Sequence, residues 1–186
     1  TVNDPEFPLG HRIAVFGKGG KTTLSMALAD RFGLEFVELD ELKHQANWTE
    51  LPADEHRAAA RARFDRAEHG WVSDGNYGAL REMVYERAET VIVLALPWRV
   101  MLWRTLKRTV RRFVKREVLW NGNRESIRST LFSGDSVVYD LYRRRIKFTT
   151  FVEVAEAEAP GDVRLLIVRS ARELEEFYAS YGLVRR

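Results

Sequence analysis

The stretch Arg12-Ile13-Ala14-Val15-Phe16-Gly17-Lys18-Gly19-Gly20-Lys21-Thr22-Thr23-Leu24 decides the fold. Its first five residues form a short apolar run that stops at glycines, the mark of a buried strand. Residues 17–20 are a turn. Beyond it, Leu24, Leu28 and Phe32 recur every fourth residue, as one face of a helix requires, and Gly33 stands where a helix C-cap belongs. Strand, glycine turn and helix in succession gather backbone amides and the positive end of a helix dipole at one corner, which suits an anion.

The same alternation continues along the chain. Residues 35–39 read as a second strand ending in Asp40. Residues 42–69 are mostly helical in pattern after a polar loop, most clearly in the Ala-, Arg- and Glu-rich segment 53–68. A third strand, 71–73, stops at Asp74-Gly75-Asn76-Tyr77; a fourth, 90–96 (TVIVLAL), closes at Pro97. Residues 164–168 (RLLIV) supply a fifth strand and 171–181 a last helix. Continuous apolar strands alternating with helices predict a three-layer α/β domain built on a parallel five-stranded sheet. Ligands bind such sheets beyond the carboxyl ends of the strands. Four of the five expected strands end there in glycine or polar sequence, at Gly17, Asp40, Asp74 and Arg169-Ser170, so an active site is expected at that edge.

Composition narrows the class. A chain of 186 residues with 45% hydrophobic content suits one packed domain over 1–186. The absence of cysteine excludes a disulfide framework, a thiolate zinc site and a cysteine nucleophile. No run approaches the roughly eighteen apolar residues of a membrane helix, and residues 1–11 read as a short polar tail rather than a signal. A cytoplasmic protein with no membrane partner is expected. The net charge of +3 conceals an asymmetry: residues 99–147 carry fourteen Lys/Arg against four Asp/Glu, leaving sixteen against twenty-three elsewhere. So basic a segment calls for an anionic partner.

Gly17, Lys18, Gly19, Gly20, Lys21, Thr22 and Thr23 have the ingredients of a P-loop for ATP. The glycines let amides turn toward a phosphate, Lys21 reaches the β- and γ-phosphates, and the Thr22 hydroxyl ligates Mg²⁺. Asp74, ending a neighbouring strand, completes the metal site with Thr22, and Asp40 accepts the proton of an acceptor hydroxyl or binds the acceptor. The spacing is two residues short of the P-loop pattern between Gly17 and Lys21. Either the loop is contracted and phosphate binding rearranged, or two residues are missing between Gly20 and Lys21. The intact surroundings favour the second, which would hold those Cα atoms farther apart than the roughly 3.8 Å of bonded neighbours.

Five segments then carry a resemblance: Phe36 to Asp40, Asn47-Trp48, Trp71 to Tyr77 (WVSDGNY), Trp120 to Ser126 (WNGNRES) and Ser170 to Leu174. Together they resemble the adenylate-kinase-like P-loop proteins known as DNA topology modulation proteins, across nearly the whole chain. The resemblance implies strand order 2-3-1-4-5, an acceptor-binding insertion over 41–69 and a basic helical lid region over 98–147. It implies that Arg81 grips an acceptor anion, that Ser170 and Arg172 lie at the adenine, and that one or two of the arginines flanking the lid, drawn from Arg124, Arg128 and the cluster Arg143-Arg144-Arg145, close over the phosphates. On the basic helix at its start, Leu102, Leu106, Val110 and Phe113 are expected to form the apolar face, with Arg104 and its neighbours solvated. The function expected is phosphotransfer from ATP, with Mg²⁺, to a small-molecule acceptor, nucleotides among the candidates. The alternative is a nucleic-acid-binding protein that uses residues 99–147 beside a degenerate nucleotide site, with DNA affinity falling steeply with salt.

Overall fold

The computed structural model describes residues 8–17, 19–75, 78–115, 121 and 148–185. In chain order these form β1 (Arg12–Gly17), α1 (Lys21–Phe32), β2 (Glu35–Glu38), α2 (Leu39–Lys43), a 3₁₀ turn (Ala46–Trp48) and α3 (Ala53–Arg66). There follow β3 (Trp71–Asp74), α4 (Gly78–Arg87), β4 (Thr90–Leu94), α5 (Trp98–Lys115), α6 (Phe148–Glu158), β5 (Arg164–Val168) and α7 (Ala171–Ser180). The five strands make one parallel sheet in the order β2-β3-β1-β4-β5. The expected fold class and strand order are therefore observed.

Strand alternation explains the layers. In β1, Ile13 and Val15 join a core with Leu24 and Leu28 of α1 and Leu174 and Tyr178 of α7. Their neighbours Ala14 and Phe16 join a second core with Phe64 of α3, Leu80 and Val84 of α4, and Ala155 of α6. β4 splits likewise, Ile92 and Leu94 to the first core, Val91 and Val93 to the second. Both faces of the sheet are covered, which is why the strands read as unbroken apolar runs. The second core holds a stacked pair, Phe64 on Trp71, with ring centroids 4.2 Å apart.

Several boundaries depart from the sequence reading. β2 ends at Glu38, and Asp40 lies in the first turn of α2 rather than at a strand end. The helix expected over 42–69 is broken: Asn47 and Trp48 take positive φ of 59° and 58°, and α3 starts only after Pro52. β4 stops at Leu94, two residues early. The expected tail is anchored, because Leu9 is fully buried and its carbonyl accepts a hydrogen bond of 2.6 Å from Thr90 Oγ1. On α5 the buried positions include Met101, Thr105 and Thr109, whereas Val110 of the expected apolar face is exposed together with Trp103 (68%) and Val114 (72%).

Candidate active site

Parallel pairing brings the ends of β1, β3 and β4 to one edge: Val15 is in register with Asp74, and Gly17 with Leu94. Gly17 has to be glycine there. Its φ is +113°, and a Cβ would stand 2.2 Å from the Leu94 carbonyl oxygen. The chain then turns through Gly19 (φ 78°) and Gly20 (φ 143°) directly into α1.

Gly20 is the N-cap residue of α1, and its carbonyl accepts the Leu24 amide at 3.0 Å. The sequence as it stands therefore passes from the glycine turn straight into α1, with a loop two residues shorter than the P-loop pattern. Gly20 offers no side chain to cap this helix end, and no acidic residue lies in its first turn. The amides there and the positive dipole end are left for an anion.

Three side chains meet below this corner. Asp74 is 2% exposed at the end of β3. Lys21 Nζ lies 2.9 Å from its Oδ1, in an ion pair without hydrogen-bond alignment at that oxygen. Thr22 Oγ1 donates to Asp74 Oδ2 at 2.5 Å. A lysine, a hydroxyl and a buried carboxylate beside a helix N-terminus are side chains of the kind that a magnesium–polyphosphate site uses, where one carboxylate and substrate phosphates share the ion. Among the described residues no cluster of three His, Cys, Asp or Glu could hold a metal, and a site of this type needs none.

The other expected residues are placed as follows. Thr23 is exposed on the first turn of α1. Asp40, on α2, lies near enough to His56 to favour that histidine's charged form. Arg81, on α4, is paired with Glu158 of α6 at 2.8 Å, so an acceptor anion would have to compete with that carboxylate. Ser170 caps α7: its Oγ accepts the Glu173 amide and donates to the Glu173 carboxylate, both at 3.1 Å. Glu173 also accepts the Arg169 amide, which is the foremost reason its pKa is lowered. Arg172 is exposed and pairs with Glu176 at 2.8 Å. Both lie past the carboxyl end of β5, but with helix-stabilising partners. Replacing Ser170 by Ala should lower unfolding stability by about 1 kcal/mol, measured by urea melts. ATP affinity will be unchanged if the residue acts only as a cap. Lys18, Asn76, Tyr77, Arg124, Arg128 and the cluster Arg143-Arg144-Arg145 lie outside the described residues.

Two contacts went unforeseen in sequence. Arg104 of α5 donates from Nη1 to the Gly19 carbonyl at 3.0 Å. Asn121, itself at φ 54°, donates from Nδ2 to the His44 carbonyl at 2.6 Å. His44 in turn packs edge-on against Trp48, ring centroids 5.6 Å apart. Two distant pieces of the sequence signature, Asn47-Trp48 and Asn121, are thus drawn together in the 41–69 insertion. The left-handed backbone at non-glycine residues, of a kind that collects at binding sites, marks this corner.

His56, 3% exposed on α3, makes a 3.1 Å contact from Nε2 to the Leu39 carbonyl. Burial lowers its pKa from 6.5, more than that hydrogen bond raises it. The unfolded chain therefore takes up this proton first as pH falls. Stability from neutral His56 is complete above about pH 6.5 and declines below it. Denaturant melts from pH 7.5 to 5 should show this slope, and His56→Gln should flatten it.

A cleft of about 580 Å³ lies at the opposite edge of the sheet, against His11, Phe32, His69 and Trp71. It adjoins the amino ends of β1 and β3, remote from Lys21 and Asp74.

No family model matches the chain, and no curated protein matches it in sequence. Among the solved structures similar to it are two kinases. A gluconokinase from Sinorhizobium meliloti 1021 superposes with a TM-score of 0.54 at 17% identity, over 93% of this chain and 90% of its own. A sugar kinase from Janibacter sp. HTCC2649 covers 94% and 95% at 19% identity, with a TM-score of 0.49. The first likeness and the strand order establish an α/β P-loop fold. The narrower resemblance to DNA topology modulation proteins gains no support from them. Among the described residues, no helix is long and apolar enough to cross a membrane.

Proposed function

We propose that this chain transfers the terminal phosphoryl group of ATP to a small-molecule acceptor. The observation that carries the reading is the convergence of Lys21 and Thr22 on buried Asp74 beneath the start of α1. In this reading the first-turn amides of α1 hold the phosphate tail, and the Lys21 ammonium swings from Asp74 to the transferring phosphate. Thr22 and Asp74 would hold Mg²⁺, which when bound neutralises charge between the β- and γ-phosphates. Asp40, at the mouth of the 41–69 insertion, takes the proton of the acceptor hydroxyl. Its oxygen then bonds to the γ-phosphorus as the bond to the β–γ bridging oxygen breaks.

The test is ADP release in the presence of a panel of acceptors. Nucleoside monophosphates and small alcohols belong in it, and sugar acids do too, because the first similar structure is a gluconokinase. One class should stimulate ADP formation, and Lys21→Ala should reduce that stimulated rate at least about 100-fold. If no acceptor stimulates turnover, and neither this protein nor one with a full-length loop binds ATP in a Mg²⁺-dependent way, the reading is wrong.

A further inference from the structure

The loop between β1 and α1 is two residues shorter than the P-loop pattern, and α5 packs closely against it. At Gly19 a Cβ would come within 3.1 Å of Met101 Cγ, and at Gly20 within 3.1 Å of Arg104 Nη1. Met101 is fully buried and seats α5 against the first core. Three residues on, Arg104 reaches the loop and donates to the Gly19 carbonyl. In a full-length loop, amides would face this space. Here a carbonyl borders it, and an unpartnered carbonyl would repel a phosphate. The guanidinium ties that oxygen down and brings a positive charge to the loop.

We propose that Arg104 braces the contracted loop, doing from α5 what the two absent residues would do from within. It is a positioning residue for the nucleotide site, and the assignment rests on the phosphotransfer reading above. The consequence is conditional: the loop's order, and with it ATP affinity, depends on Arg104 only while the loop is short. A lysine at 104 keeps the charge but loses the planar fork, so it should restore part of the effect.

The experiment compares the wild-type protein, Arg104→Ala, Arg104→Lys, a protein with Ser-Gly inserted between Gly20 and Lys21, and that insertion combined with Arg104→Ala. Two quantities are read: amide hydrogen exchange of residues 16–24 without ligand, and MgATP affinity by calorimetry. In the short loop, Arg104→Ala should speed exchange and weaken ATP binding by about tenfold each, the scale of one charge-assisted hydrogen bond, with Arg104→Lys between. In the extended loop, Arg104→Ala should change neither by more than about twofold. An equal loss of affinity in both loops would overturn the proposal, since Arg104 would then act on the phosphates and not on the loop. Unchanged exchange in the short loop would overturn it as well. Should Arg104→Ala fail to fold, Arg104→Lys carries the same comparison. If none of these proteins binds MgATP, the phosphotransfer reading falls, while the exchange data still decide the brace.

Discussion

Inserting Ser-Gly between Gly20 and Lys21 should tighten MgATP binding by about tenfold. The contracted loop passes from Gly17 to α1 through only three residues, so it cannot ring a phosphate with the amides of a full-length P-loop. Each hydrogen bond to a charged group contributes about 1.5–3 kcal/mol. Ordering two added residues opposes this by about 1–2 kcal/mol each. The mid-range difference is about 1.5 kcal/mol, or about tenfold in affinity. Calorimetric titration of the extended protein against the wild type measures it. Weaker binding after insertion would mean that the short loop is itself the shape the ligand needs.

Asp74→Asn should lower acceptor-stimulated turnover by about 10²–10³-fold, the scale on which removal of one preorganised electrostatic group acts. The substitution keeps the shape, and an amide oxygen can still accept from Thr22. What it removes is the charge that Lys21 Nζ meets at 2.9 Å and that a Mg²⁺ ion would share with Thr22. Steady-state rates over a series of Mg²⁺ concentrations should show the loss together with a weakened metal dependence. Turnover near that of the wild type would remove Asp74 from the site.

Much of this architecture could be read from residue order, for identifiable reasons. The apolar runs at 13–16 and 90–94 are buried on both faces, so burial imposes no polar alternation and the parallel sheet shows through. Lys21, Thr22 and Asp74 were legible as a group because each follows or ends a strand, and register alone sets their proximity. What stayed hidden depends on contacts between distant segments. The break at Asn47 and Trp48 is a backbone choice that two ordinary side chains do not announce. Arg104 looked like one more charge on a basic helix, and its partner Gly19 lies 85 residues earlier. Of the apolar face expected on α5, Leu102 packs against the first core while Val110 stays exposed: periodicity reports that a helix has an apolar face, and packing decides how much of it is covered. Ser170 shows the opposite case. The Ser170-x-x-Glu173 spacing is that of a capping box, and in the structure Ser170 does cap α7.

The central claim is that the start of α1, with Lys21, holds a polyphosphate. Calorimetric titration of the wild-type protein with MgATP, repeated on Lys21→Ala, tests it most directly. Saturable binding that weakens at least about tenfold in the variant is the expected result. Equal affinity in the two proteins would contradict it.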